Sequence, residues 1–166
     1  MGKFQDRIRS IFAQTGQRKH RLKQPFLQIW GGEIPIKVKG TGRGGRCSHL
    51  ALSMAGTLSK HPSSALFCFA TDGNDNIAGS GGSFSDCNTR AILRKAGIDY
   101  VAARNDNDSF TALSAIGNIL PAPLISTNVN DVFVLSAGYD FEDPLPPSES
   151  YEYDIFEDHT LLGASR

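Results

Sequence analysis

With 166 residues, 40% hydrophobic and 20% charged, the chain suits one globular domain with a real core, and no apolar run approaches the ~18 to 20 residues of a membrane span. Three widely spaced cysteines without a C-x-x-C, four scattered histidines and no secretory signal pattern point to reduced thiols in the cytoplasm and away from a zinc site. The formal net charge of zero hides seven Lys/Arg against one Asp in residues 1–24 and eight Asp/Glu against one Arg in residues 139–166, ends that pair or stay solvated rather than mark a nucleic-acid protein.

Apolar residues at Phe4, Ile8, Ile11 and Phe12, with basic residues between, predict a short amphipathic helix over one edge of the core. A mitochondrial targeting helix is the rival, because the stretch bears arginine and little acid. Residues 17–24 are polar and basic, so residues 1–24 read as a helix and linker ahead of a domain over 25–137. Two β-type runs follow, Phe26–Trp30 and Ile34–Val38. Gly31-Gly32 between them predicts a hairpin, and Pro35, which lacks an N–H, places that hairpin at a sheet edge.

The hairpin would deliver the chain into Gly40-Thr41-Gly42-Arg43-Gly44-Gly45-Arg46. Glycine lets backbone approach a ligand closely, arginine offers a charged planar fork, and a following helix adds free N–H groups and a positive dipole end. The combination reads as an anion-binding loop. A glycine-rich surface turn with solvated arginines stands beside that reading. Gly40, Gly42 and Gly45 satisfy G-x-G-x-x-G, but the first acidic residue afterwards is Asp72, too far on for a dinucleotide fingerprint. Arg46 and Cys47 stand where a Walker A loop needs Lys and Ser or Thr, and a lone Arg-Gly-Gly is no RNA-binding repeat.

Cys47, Leu50, Ala51, Met54, Ala55 and Leu58 predict an amphipathic helix with Cys47 on the buried face, ended by His61-Pro62. The continuous apolar run Ala65–Ala70 predicts a buried parallel strand. Thr71-Asp72-Gly73-Asn74-Asp75-Asn76 would then lie at the carboxyl end of that strand, where open α/β sheets bind ligands. Asp72 and Asp75 would serve there as base, magnesium ligand or hydroxyl acceptor, or the segment only builds turns. A helix is expected over Asp86–Ala96, capped by Ser85 and closed by Gly97. Ile98–Ala102 suggests a short strand, and Phe110, Leu113 and Ile116 one face of a third helix broken by Pro121-Ala122-Pro123. Thr127–Asp131 leads into a last strand, Val132–Leu135, and residues 138–166 read as an acidic, flexible tail with Tyr151, Tyr153 and Phe156 available to dock.

Five motifs in this order resemble one family: Gly31-Gly32-Glu33, the glycine/arginine loop of residues 40–46, Thr71-Asp72-Gly73-Asn74-Asp75, Asn105-Asp106-Asn107-Asp108-Ser109-Phe110, and Thr127-Asn128-Val129-Asn130-Asp131. The set, spanning about residues 25–136, is similar to the MOFRL domain, the C-terminal domain of glycerate 2-kinases often labelled hydroxypyruvate reductase. The resemblance implies a three-layer α/β domain with a mixed, mainly parallel sheet and an N-terminal edge hairpin. It further implies ATP-dependent, magnesium-assisted phosphoryl transfer to the 2-hydroxyl of D-glycerate in a cleft between two domains. Arg46 would be catalytic. Arg43, Asp72, Gly73, Asp75, Asn105, Asn128 and Asp131 would form the substrate wall, with Asp72 and Asp75 also candidate metal ligands.

Three segments depart from the family pattern. Cys47-Ser48-His49 replaces Asn-Gln-Glu, residues 75–82 replace Asp-Gly-Pro-Thr-Asp-Ala-Ala-Gly, and Pro121-Ala122-Pro123-Leu124 replaces Thr-Gly-Pro-Thr. The family's large N-terminal domain, with its nucleotide-binding groups, has no counterpart in these residues, so the resemblance implies either a truncated product or a subunit completed by a separately encoded N-terminal domain, with little or no kinase activity alone. A non-catalytic module that binds a small anion or a protein is the alternative. A nicotinamide dehydrogenase ranks below both, for want of a complete fingerprint.

Overall fold

In the computed structural model, residues 1–14, 25–122 and 128–138 are described. They form α1 (Gly2–Gln14), β1 (Phe26–Gly32), α2 (Arg46–Leu58), β2 (Ser64–Ala70), β3 (Ser80–Asp86), α3 (Thr89–Lys95), α4 (Tyr100–Asn105), α5 (Ser109–Ser114), β4 (Ile119–Pro121) and β5 (Asp131–Ala137). The predicted linker of residues 17–24 and the acidic tail from residue 139 lie outside the described residues, as do Pro123 and Thr127.

The five strands make one sheet in the order β1-β5-β2-β3-β4, and every neighbouring pair is antiparallel. This corrects the mainly parallel sheet expected from the sequence. The run Ala65–Ala70 is uniformly apolar because β2 carries apolar side chains on both faces, which on paper looks like a parallel strand between two helix layers. The two-run hairpin is corrected as well. β1 extends through Gly31 and Gly32 and pairs along seven positions with β5, from Phe26 opposite Ala137 to Gly32 opposite Asp131. Residues 33–39, with Pro35 among them, form no strand. β1 is still an edge strand, at one end of the order.

The inward positions of the sheet are fixed by register: Trp30, Phe133 and Cys68 stand opposite one another, followed by Leu135 and Leu66. The helices cover this face. α1 buries Phe4, Ile8 and Phe12, one residue per turn. Phe4 meets Trp30 edge-on at 5.3 Å and Phe133 at 5.1 Å, and Phe12 tilts against Phe26 at 6.2 Å. α2 crosses the middle of the face and buries Cys47, Leu50, Ala51, Met54 and Leu58 at helical spacing. These residues join Leu93 of α3 and Leu113 of α5 in one core. Among the described residues the domain therefore has two layers, helices on one side of the sheet, rather than three.

Other local expectations are corrected by capping and packing. Residues 80–86 form β3, a strand the sequence reading does not name, its small residues permitting close approach: a Cβ on Gly81 would stand 2.7 Å from the Pro121 carbonyl oxygen. Ser85 is therefore within a strand, and α3 starts at Thr89, where Asp86 accepts from the Thr89 N–H at 2.7 Å. Ile98–Ala102 is not a strand. The Asp99 carboxylate accepts from the N–H groups of Val101 and Ala102 and nucleates α4, overriding the β preference of Tyr100 and Val101.

Candidate functional site

The glycine/arginine loop spends its donors on the chain's own acids. Thr41 N–H donates to Asp106 Oδ1 (3.0 Å), Gly42 N–H to the Asp106 carbonyl (3.0 Å), and Arg43 N–H to Asp108 Oδ1 (2.8 Å); Phe110 N–H returns to the Arg43 carbonyl (2.8 Å). Here the glycines answer a steric demand. A Cβ on Gly40 would stand 2.5 Å from Asp106 Cα, and one on Gly42 2.6 Å from Asp108 Cα. The loop is a glycine-lined seat for residues 106–109.

The helix mouth is occupied in the same way. Asp75, fully buried, accepts from the Cys47 N–H at 2.8 Å and the Ser48 N–H at 2.9 Å, the first donors of α2. A carboxylate placed there satisfies orphan N–H groups and the positive dipole end together. Burial pushes the Asp75 carboxyl up against those bonds. Gly45 N–H is closed off by Ser48 Oγ at 2.8 Å, and Ser109 Oγ donates to that same oxygen at 3.1 Å.

One cation remains turned toward the strand ends. Arg46, the first residue of α2, donates through Nε to Asp131 Oδ2 (2.6 Å) and through Nη2 to Asp131 Oδ1 (2.8 Å). Its Nη2 also lies 4.0 Å from Asp72 Oδ2. Asp131 opens β5 and is fully buried, directly opposite Ala70 at the end of β2, so the antiparallel register brings the two loops together. Thr71 Oγ1 stitches them, donating to the Asn130 carbonyl at 2.6 Å and accepting from Val129 N–H at 3.1 Å. The Asp131 bond holds the Arg46 guanidinium above its ordinary pKa. Burial pushes the Asp131 carboxyl up, and Arg46 pulls it back. Nη1 of Arg46 has no partner among the described residues, so one edge of the fork is left unspent.

The remaining predicted residues divide. Asp72 accepts from Asn74 N–H at 3.0 Å, and Gly73 makes the turn with φ of 76°. Asn128 accepts from Asn130 N–H at 3.3 Å on the loop beside Thr71. Arg43 lies over the Phe110 ring at 5.2 Å, and Asn105 bonds Arg104 at the end of α4; no described contact joins either to Arg46. Asp75 is enclosed. Three residues that bear on the site were not among the candidates. Thr71 ties the loops, Ser48 closes the helix mouth, and Glu33 raises the Asp131 carboxyl by its charge. The antiparallel pairing of Gly32 with Asp131 accounts for Glu33.

Residues 26–131 match the MOFRL family. The chain belongs to that family. It is 36% identical over 127 residues to the D-glycerate 2-kinase of Thermotoga maritima, which covers 76% of this chain and 30% of that enzyme. It is 30% identical over 128 residues to the glycerate 2-kinase of Pyrococcus horikoshii, covering 76% and 29% of the two chains. The crystal structure of the Thermotoga maritima glycerate kinase superimposes with a TM-score of 0.70 at 35% identity, over 79% of this MOFRL chain and 32% of the other. The chain thus spans about 30% of the length of these kinases. No described helix is long and apolar enough to cross a membrane.

Proposed function

We propose that this MOFRL chain is the substrate-side part of a glycerate 2-kinase, which phosphorylates D-glycerate at its 2-hydroxyl when a nucleotide-binding domain completes the cleft. The observation that carries the reading is Arg46: a permanent cation oriented by a buried carboxylate, with one edge of its fork unspent, at the joined ends of β2 and β5. Phosphoryl transfer asks little covalent chemistry of the protein and much positioning of charge. Arg46 would grip the glycerate carboxylate or an oxygen of the transferring group, and Asp72, half-exposed and close by, would accept from a substrate hydroxyl.

In this reading ATP is held by the other part of the enzyme, and magnesium arrives with its phosphates rather than in a cage of this chain's own residues. Among the described residues no three His, Cys, Asp or Glu gather to hold an ion. Both Asp75 oxygens are taken by backbone N–H groups, which leaves Asp72 as a single carboxylate. The glycine loop is likewise filled by residues 106–109 and fits no phosphate cradle. This chain's residues therefore bind and orient the acceptor. Of the second reading, a small-anion or protein-binding module without catalysis, the loop favours only the protein-binding form, since donors spent internally grip no small anion.

The test is 2-phosphoglycerate formation from ATP, magnesium and D-glycerate by the chain, alone and together with a family N-terminal domain. Product is expected only from the combination. Arg46→Lys, which keeps the charge and loses the fork, is expected to lower kcat/KM about 100-fold. Efficient turnover by the chain alone, or an unchanged kcat/KM in the variant, overturns the assignment. A rise in Tm with D-glycerate separates the kinase reading from a module indifferent to it.

A further inference from the structure

The second face of the sheet carries apolar side chains where a water-facing antiparallel sheet would carry polar ones. Register sets Ile29, Val134, Phe67 and Phe84 in one row across four adjacent strands, β1, β5, β2 and β3. Leu27 and Phe69, two residues along their strands, flank the row on the same side. The Phe67 ring stacks on Phe84 at 5.5 Å and on Phe69 at 6.3 Å. Ile29 is 61% exposed and Leu27 50%. All described helices contribute to the core on the opposite face. Among the outward positions of the described strands, Asp86 at one corner is the only charged residue.

We propose that this face is a self-association surface, on which two copies of the chain pack sheet against sheet about a two-fold axis. Four strands of seven residues, at ~4.8 Å spacing and ~3.3 Å per residue, with the short β4 beside them, present roughly 500 Å². The pair then buries about 1,000 Å², the lower bound for a specific interface. A face with almost no charge offers nothing to complement in a charged partner and does not repel its own copy. In an isologous contact each Ile29-to-Phe84 row crosses the same row of the other copy, with the twisted sheets ~10 Å apart and about 30° off alignment. The proposal stands apart from the kinase reading, because the face is the outward side of the strands and not the loop cluster around Arg46.

The experiment is sedimentation equilibrium of the full chain over a range of concentrations. Twice the chain mass is expected, with dissociation weakened about tenfold or more by Ile29→Lys and by Leu27→Lys. Both side chains are already exposed in the single copy, so the variants keep the fold, which far-UV circular dichroism verifies. Val101→Lys, on an exposed position of α4, is expected to leave the dimer unchanged. A single-chain mass at every concentration overturns the proposal, as does a dimer indifferent to Ile29→Lys. So does a monomer that binds an apolar dye only after removal of residues 139–166, which would assign the cover to the chain's own carboxyl-terminal segment.

Discussion

Asp131 holds Arg46 by two parallel bonds, 2.6 and 2.8 Å, from a carboxylate with no solvent exposure. A buried charge that loses its partner is left uncompensated, which costs about 3 to 5 kcal/mol. Arg46→Ala removes the cation and strands Asp131. Asp131→Ala leaves a guanidinium that is already partly in water. Urea denaturation is expected to show the larger loss for Arg46→Ala, near 3 kcal/mol, and a smaller one for Asp131→Ala. The double variant should recover part of the Arg46→Ala loss. Additive losses would mean that the two residues are not coupled.

The glycines of the loop make a graded series. A Cβ on Gly45 would meet the Asp75 carbonyl and carboxylate, and one on Gly42 the Asp108 backbone, neither of which is free to swing aside. Gly31 has open space around it and no positive φ. Gly42→Ala and Gly45→Ala are each expected to cost about 2 kcal/mol or more, and Gly31→Ala less than about 0.5 kcal/mol. Equal Tm values across the series would place the loop away from residues 106–109 and 75.

Much of this arrangement could be read beforehand, and the part that could not has a physical reason. α1 and α2 announce themselves because Phe4, Ile8 and Phe12, and Cys47 through Leu58, keep helical spacing with one apolar stripe. The direction of β2 was hidden by Phe67 and Phe69. An apolar outward face erases the alternation that distinguishes antiparallel strands. β3 was hidden by its small residues, whose strand conformation is chosen by packing against α2 and β2 rather than by propensity. Arg46 and Asp131 stand out as single residues, but their pairing depends on the register that places Asp131 opposite Ala70. The loop of residues 40–46 has the composition of an anion site. What composition does not carry is that the anions are Asp75, Asp106 and Asp108 of the same chain.

His49 makes the fold sensitive to acid. Lys39 N–H donates to Asn107 Oδ1 at 2.8 Å, which turns the Asn107 amide nitrogen toward His49 Nδ1 at 3.3 Å and requires a lone pair there. Burial, then Arg104 and Lys39, keep the His49 pKa below its ordinary value. Below ~6.5 the unfolded chain thus binds protons that the fold refuses, so this contribution is complete above ~6.5 and is lost as pH falls toward the folded pKa. His61, lowered by burial and Lys60, acts in the same direction. Asp75 and Asp131, both raised, act oppositely, weakening the fold as pH rises through their own range. The difference between wild type and His49→Gln isolates the histidine. Urea midpoints measured from about pH 7.5 down to about 5.5 are expected to fall less steeply in the variant. Parallel slopes would remove His49 as a source.

Two hydroxyls on β3 point the other way, toward a gain. Ser83 and Ser85 stand opposite Cys68 and Leu66 on the helix-covered face, fully buried, and neither Oγ has a hydrogen-bond partner among the described residues. A buried hydroxyl without a partner forfeits its hydration and receives nothing in return, about 1 kcal/mol or more. Alanine removes that oxygen and keeps the Cβ, so the close packing of β3 under α2 is preserved. Ser83→Ala and Ser85→Ala are therefore each expected to stabilise the chain by about 1 kcal/mol in urea denaturation. Ser64, also buried, supplies the contrast: its Oγ donates to the His61 carbonyl at 2.6 Å, so Ser64→Ala should lose about 1 kcal/mol instead. If all three substitutions destabilise alike, the β3 hydroxyls have partners of their own. Opposite signs for Ser83 and Ser64 would establish that the small residues of β3 are selected for their size rather than for their oxygens.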